Sequence, residues 1–270
     1  MFSVMLLVGC KWADKMPDAK SKEGVAIHIN RYDRVLDEYV SLNSYSARQK
    51  MNLEYPRQTK MLIEDVLNIG HVDDIDVEKR LRRLYLDSTV QVLLDEVHRQ
   101  YVDISDVETQ LGRAFKRLEK EDPKFRRPEV YTQIACLNQS VVVADTLVGI
   151  SLDKYLGADF PLYARYFTES QCETMSRDHI VTDALTFYLL YHYVEPHRGA
   201  IMPTDAERIR AVARVHWVVA KILGISPLNH IPALGAGGGD INLSEGLMEV
   251  EAYMKQHPHT KLIELLTTGL

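Results

Sequence analysis

The stretch "SRDHIVTDALTFYLLYHYV", residues 176–194, sets the strictest condition on the fold. Ile180, Val181, Ala184, Leu185, Phe187, Tyr188, Leu189, Leu190 and Tyr191 leave almost no polar side on a helix. A helix that is apolar nearly all round has to be enclosed, because any face left in water forfeits apolar burial. The remaining chain must therefore supply layers around it. With 270 residues and 46% hydrophobic residues, one domain can do so.

Those layers are legible in part. Val25, Ile27 and Ile29 alternate with Ala26, His28 and Asn30, which predicts a strand over residues 24–33. Met61, Leu62, Asp65, Val66 and Ile69 recur with helical spacing, and Gly70 is the expected stop. Residues 76–101 predict two helices, one lined by Leu81, Leu84 and Tyr85, the next by Val90, Leu93, Leu94 and Val97. Ser105 and Glu108 have capping-box spacing ahead of a stripe of Val107, Leu111, Phe115 and Leu118. After Pro123 and Pro128 the texture changes. "EVYTQIACL" and "QSVVVADTLVGISLD" are rich in β-branched residues and have no helical period. They predict three strands, the last two a hairpin turning at "ADT". Asp153, just after the last strand, is expected in a turn or cap role.

Thr168 with Gln171 makes a second capping box, which leads into residues 176–194; Pro196 and Gly199 end that segment. A further helix starts at Thr204 or Asp205 and stops at Gly224, and residues 243–258 and 260–266 supply the last two. The predicted fold class is α+β, a mostly helical single domain with a small β-sheet.

A net charge of −6 argues against a nucleic-acid partner. The basic runs "EKRLRRL" and "KFRRP" have acidic neighbours and read as solvated faces. The start of the chain, "MFSVMLLVGC", is apolar and ends in Leu7-Val8-Gly9-Cys10, which resembles a bacterial lipobox. In such proteins the peptide is cut before the cysteine and the thiol carries lipid, so acyl chains hold the domain on a membrane. The polar stretch that follows, residues 11–23, reads as a flexible tether, and residues 24–270 as the single domain. Cys136 and Cys172 are then the two remaining cysteines, with pairing left open.

The order of motifs is informative. "INRYD" follows the first strand, then "EYPRQTKMLIEDVLNIG", "DISDVETQLGRAFKRLEKEDP", "VYTQIACL", "VVVADTLVGISLDKYLGADFPLY" and a late "YMKQHPHTKLIEL". This series resembles the GldB family of gliding-motility-associated lipoproteins of Bacteroidetes, best over residues 24–195. The resemblance implies a lipid-anchored protein of the bacterial cell envelope, held to a membrane through its N-terminal lipid. It implies an accessory or binding component of motility- or secretion-related machinery, with other envelope proteins as partners. The family is distantly similar to zincin-type zinc peptidases, where strands precede a helix carrying H-E-x-x-H. That implies a zincin-like fold and makes "HIVTD" the stretch to weigh against the motif.

Positions four apart on a helix lie about 40° apart around its axis, so His179 and Asp183 can reach one ion. Carboxylate is an acceptable zinc ligand. The position of the proton-accepting glutamate, however, is Ile180, which cannot accept a proton. His192, His197 and His216 exist as third ligands but stand in no recognisable pattern. The reading favours no cofactor and a structural pair, with zinc on His179 and Asp183 of a divergent peptidase as the alternative. A third reading is an exported peptide- or glycan-binding module that uses Tyr155, Phe160 and Tyr163 of the aromatic loop. "LGAGGGD" lacks the Lys-Ser/Thr of a phosphate loop and follows no strand.

The anchor makes a direct prediction. Cells given radiolabelled palmitate should label the wild-type chain, and Cys10→Ser should abolish the label; label surviving that change would remove the anchor from this position.

Overall fold

The computed structural model describes residues 26–194, 204–227 and 243–267. Cys10, the 11–23 tether, the helix stop at Pro196 and Gly199, His197 and the glycine-rich stretch 234–240 lie outside the described residues. Among the described residues the molecule is α+β and mostly helical with a small mixed sheet, as the sequence predicts.

The chain opens with β1 (Ile29–Asn30), α1 (Tyr32–Leu42) and α2 (Tyr45–Leu53). Next comes α3 (Pro56–Lys60), running on as a π-helical stretch, Met61–Val66. Then follow α4 (Val77–Tyr85), α5 (Ser88–Gln100) and α6 (Ser105–Glu121). The sheet strands β2 (Glu129–Gln133), β3 (Val141–Ala144) and β4 (Leu147–Ser151) come next, then α7 (Glu169–Cys172). A 3-10 turn, Arg177–His179, leads into α8 (Ile180–Leu189), which ends in a π-helical stretch, Leu190–Val194. α9 (Asp205–Leu223), α10 (Leu243–Gln256) and α11 (Leu262–Thr267) complete the described chain.

The sheet has the order β1-β2-β4-β3. β1, β2 and β4 are parallel, and β3 returns antiparallel to β4 through Asp145 and Thr146. β4 is buried throughout and β2 is buried after Glu129, as parallel strands covered on both faces require. α1 packs on β2, whereas α8 packs on β3 and β4 and against α6 and α9. In α8 only Phe187 escapes full burial. The enclosure demanded by its all-round apolarity is met by the sheet on one side and two helices on others.

Three local arrangements differ from the sequence reading or explain its motifs. The strand expected over residues 24–33 is two residues long among the described ones: α1 begins at Tyr32, the Ile27 N–H donates to the Glu108 carbonyl of α6 at 3.2 Å, and the Glu108 side chain accepts the Ile29 N–H at 2.9 Å. That contact takes Glu108 out of the expected capping box; Asp103 instead accepts both the N–H and the hydroxyl of Ser105, at 2.8 and 3.0 Å. In "INRYD", Arg31 grips Asp33 with two hydrogen bonds of 2.9 and 2.8 Å and reaches the Tyr101 carbonyl at 2.8 Å. Thr132 of β2 donates its hydroxyl to the same Asp33. The motif therefore ties the start of α1 to the sheet and to the end of α5. By contrast, the expected starts and stop around α7 and α9 are present: the Thr168–Gln171 capping box forms, Thr204 caps α9 in a further box with Glu207, and Gly224 takes the left-handed cap at φ 74°.

Gly149, in the central strand β4, is hemmed in by its neighbours. A Cβ there would meet the Tyr131 ring at 2.5 Å and Val142 Cγ1 at 2.7 Å. Gly149→Ala should destabilise the fold by about 1–3 kcal/mol through overpacking, read as a lower urea midpoint at unchanged slope.

Candidate functional site

The turn after β2 is built by a buried acid. Asp153, fully buried, accepts the N–H groups of Ala135 and Leu137 at 2.8 and 2.6 Å. Those bonds hold Cys136 and Leu137 at positive φ, 51° and 64°, a conformation that costs energy for non-glycine residues. The chain emerges from this turn as residues 138–141, which form one wall of a cavity of about 310 Å³. Lys154 and Tyr155 follow Asp153 into the same cavity, Phe167, Gln171, Thr174 and Met175 close a second side, and Asp183 and Phe187 of α8 form a third. β3 and α8 are thus the two rails of this site.

Asp183 is 8% exposed. Its Oδ2 accepts the hydroxyl of the buried Tyr155 at 2.8 Å. Burial pushes its carboxyl up to about 7, with the Tyr155 hydrogen bond and the Lys154 charge pulling the other way. The Lys154 amine is moved down by the same burial, which Asp153 and Asp183 oppose. Its Nζ sits 3.8 Å from the centre of the Phe167 ring, a cation–π contact that shields it from solvent. One acid and one base, both partly desolvated, therefore share a small polar-and-apolar chamber, the environment in which binding groups are ordinarily found.

The structure distributes the sequence-derived candidates unevenly. Tyr155 and Asp183 come together in the cavity. His179 does not join them: its Nδ1 lies 2.9 Å from the Ser176 hydroxyl. Phe160 and Tyr163 stack edge-on at 5.1 Å, and the fully buried Tyr163 hydroxyl donates to the Asp153 carbonyl at 2.7 Å and accepts from the Leu156 N–H at 2.8 Å. These two aromatics brace the loop behind the cavity. Among the described residues no group of three or more His, Cys, Asp or Glu side chains is placed to hold a metal ion. Cys136 and Cys172 are free thiols, and burial pushes the Cys136 thiol up.

Lys154 and Gln171 are site residues that sequence reasoning did not reach, whereas Phe167 belongs to the aromatic loop that it singled out. Lys154 carried a usable signal: it directly follows the turn-forming Asp153 at the end of a strand, where side chains commonly line ligand crevices. Gln171 was visible only as a capping residue, a role it also fills.

Comparison with known proteins bears on the whole. A family model described as gliding motility protein GldB matches residues 13–202. No curated protein and no solved structure matches the chain.

The raised pKa of Asp183 has a thermodynamic consequence. Its folded value, about 7, lies above the usual carboxylate value, so the folded state holds a proton that the unfolded chain has released. Stability from this group is present at low pH and declines as pH rises from about 4 to about 7, by at most about 1.4 kcal/mol per pH unit. Asp183→Asn should remove that decline, so that the stability of the variant relative to wild type rises across this window in urea unfolding. Parallel curves would contradict the assignment.

Proposed function

This chain belongs to the GldB family of gliding motility proteins, and from that premise we propose a lipid-anchored cell-envelope protein that acts as a non-catalytic binding component. The domain stands off a membrane on the Cys10 lipid and the 11–23 tether, and it serves motility- or secretion-related machinery through contacts with other envelope proteins. No described helix is long and apolar enough to cross a membrane.

The observation that carries the non-catalytic part is the pair of positions 180 and 183. Ile180 sits where a zinc peptidase of the H-E-x-x-H type has its proton-accepting glutamate, and here it is fully buried core. Asp183, one turn on, is hydrogen-bonded to Tyr155 and faces the cavity. The zincin-like character of the framework is part of the proposal; it is supported by a sheet of parallel strands with one antiparallel edge strand, followed by α8.

Elemental analysis tests the reading. Protein purified without chelator should carry zinc well below one equivalent, the same in His179→Ala, and should leave casein uncleaved. Stoichiometric zinc that disappears in His179→Ala would favour the divergent peptidase instead. Wild-type protein should pellet with membranes, and Cys10→Ser should not.

A further inference from the structure

The β3–β4 ladder has a parity that decides where the backbone of β3 points. Ser151 N–H donates to the Ser140 carbonyl at 2.9 Å. Val142 lies opposite Gly149, and Ala144 opposite Leu147. Residues of an antiparallel strand alternate between facing the partner and facing away. Positions 140, 142 and 144 therefore direct their backbone groups to β4, and Val141 and Val143 turn both N–H and C=O to the outer edge. β3 is last in the strand order, and no described residue hydrogen-bonds to that edge. Unpaired edges are ordinarily blunted by charge, proline or a bulge. This one reads Val-Val-Val-Ala, with Val141 buried and residues 142–144 half-buried. It is short, yet its first residue, Val141, forms part of the cavity wall.

The cavity supplies a second and independent feature. Asp183 is more than nine-tenths buried, and of its two oxygens only Oδ2 has a hydrogen-bond partner among the described residues. The free Oδ1 belongs to a side chain that lines the cavity. Lys154 lines it too, with three donors of which the nearest acceptor, the Leu137 carbonyl, is a long 3.5 Å away. A lone cation entering here meets Lys154, and a lone anion meets Asp183. A carboxamide satisfies both, since its NH₂ donates to Asp183 and its oxygen accepts from Lys154.

We propose that the outer edge of β3 and this cavity form a docking site for an extended peptide segment of a partner protein, which adds to β3 as a further strand and seats an Asn or Gln side chain between Asp183 and Lys154. The backbone rungs of Val141 and Val143 supply sequence-independent hydrogen bonds, and the cavity reads one side chain, the division of labour typical of strand addition. The inference rests on the reading of the protein as a binding component. Zinc content and membrane fractionation test that reading separately, and neither responds to changes in β3.

The probe is a display library of random nonapeptides selected on the full wild-type chain in detergent. Enriched sequences should share one Asn or Gln within a β-branched context. On binding, the Val141 and Val143 amides should gain protection from hydrogen exchange. Val143→Pro removes an outward N–H that the fold does not use, so it should fold and bind at least tenfold more weakly. Asp183→Ala should weaken the parent peptide tenfold but leave unchanged a peptide with Ala at the selected Asn or Gln, so that the two changes couple. No enrichment, unprotected Val141 and Val143 amides, selection of Lys or Arg, or full binding by folded Val143→Pro would each overturn the proposal. A peptide-free dimer lost in Val143→Pro would overturn it too, by assigning the edge to a second copy of the chain.

Discussion

Enclosing α8 is the constraint on which the other elements depend. Its sequence offers water no face, so the sheet must lie on it from one side and α6 and α9 must flank it elsewhere. That requirement explains why strands rich in β-branched residues sit between two helical blocks in the sequence. The junction is made at "INRYD", where the part-buried Arg31 and the buried Asp33 join α1, β2 and the end of α5 in one polar contact. Removing one partner there would leave a charge stranded away from water, a cost that exceeds the worth of any single apolar contact nearby.

The same enclosure creates the site. In a helix wrapped on all sides an inward carboxyl needs a neighbour to satisfy it. Asp183 has that neighbour in Tyr155, whose backbone carbonyl is in turn held by the Tyr101 hydroxyl. His179 escapes the problem by lying in the 3-10 turn before the α-helix proper, beside Ser176. Their roles diverge: one closes the entry to α8, the other opens into a cavity.

Much of this was legible in the sequence, and the limits have physical causes. The β2–β4 segment was found because β-branched runs without helical period admit few other conformations. The capping box at Thr168, the helix start at Thr204 and the glycine stop at Gly224 are local chemistry, complete within four residues, and they were read correctly. The box at Ser105 and Glu108 failed because a long-range demand won: the unpaired Ile29 N–H draws Glu108 away. α1 and α2 were not assigned, since residues 34–51 interleave polar and apolar positions and owe their helicity to packing on β2 and on each other. The cavity was half visible. Tyr155 and Asp183 were singled out for separate reasons, but only the fold shows them sharing one hydrogen bond, with Lys154 across from them. The GldB resemblance, carried by motif order, agrees with the family model over residues 13–202.

The central claim is that Asp183 is a buried carboxyl held by Tyr155 at the edge of a binding cavity. Its side-chain carboxyl carbon, followed by ¹³C NMR across pH with and without one equivalent of zinc, tests this most directly. A titration centred near 7 and unmoved by zinc is the predicted result. A midpoint in the ordinary carboxylate range, or a titration that zinc abolishes, would contradict it.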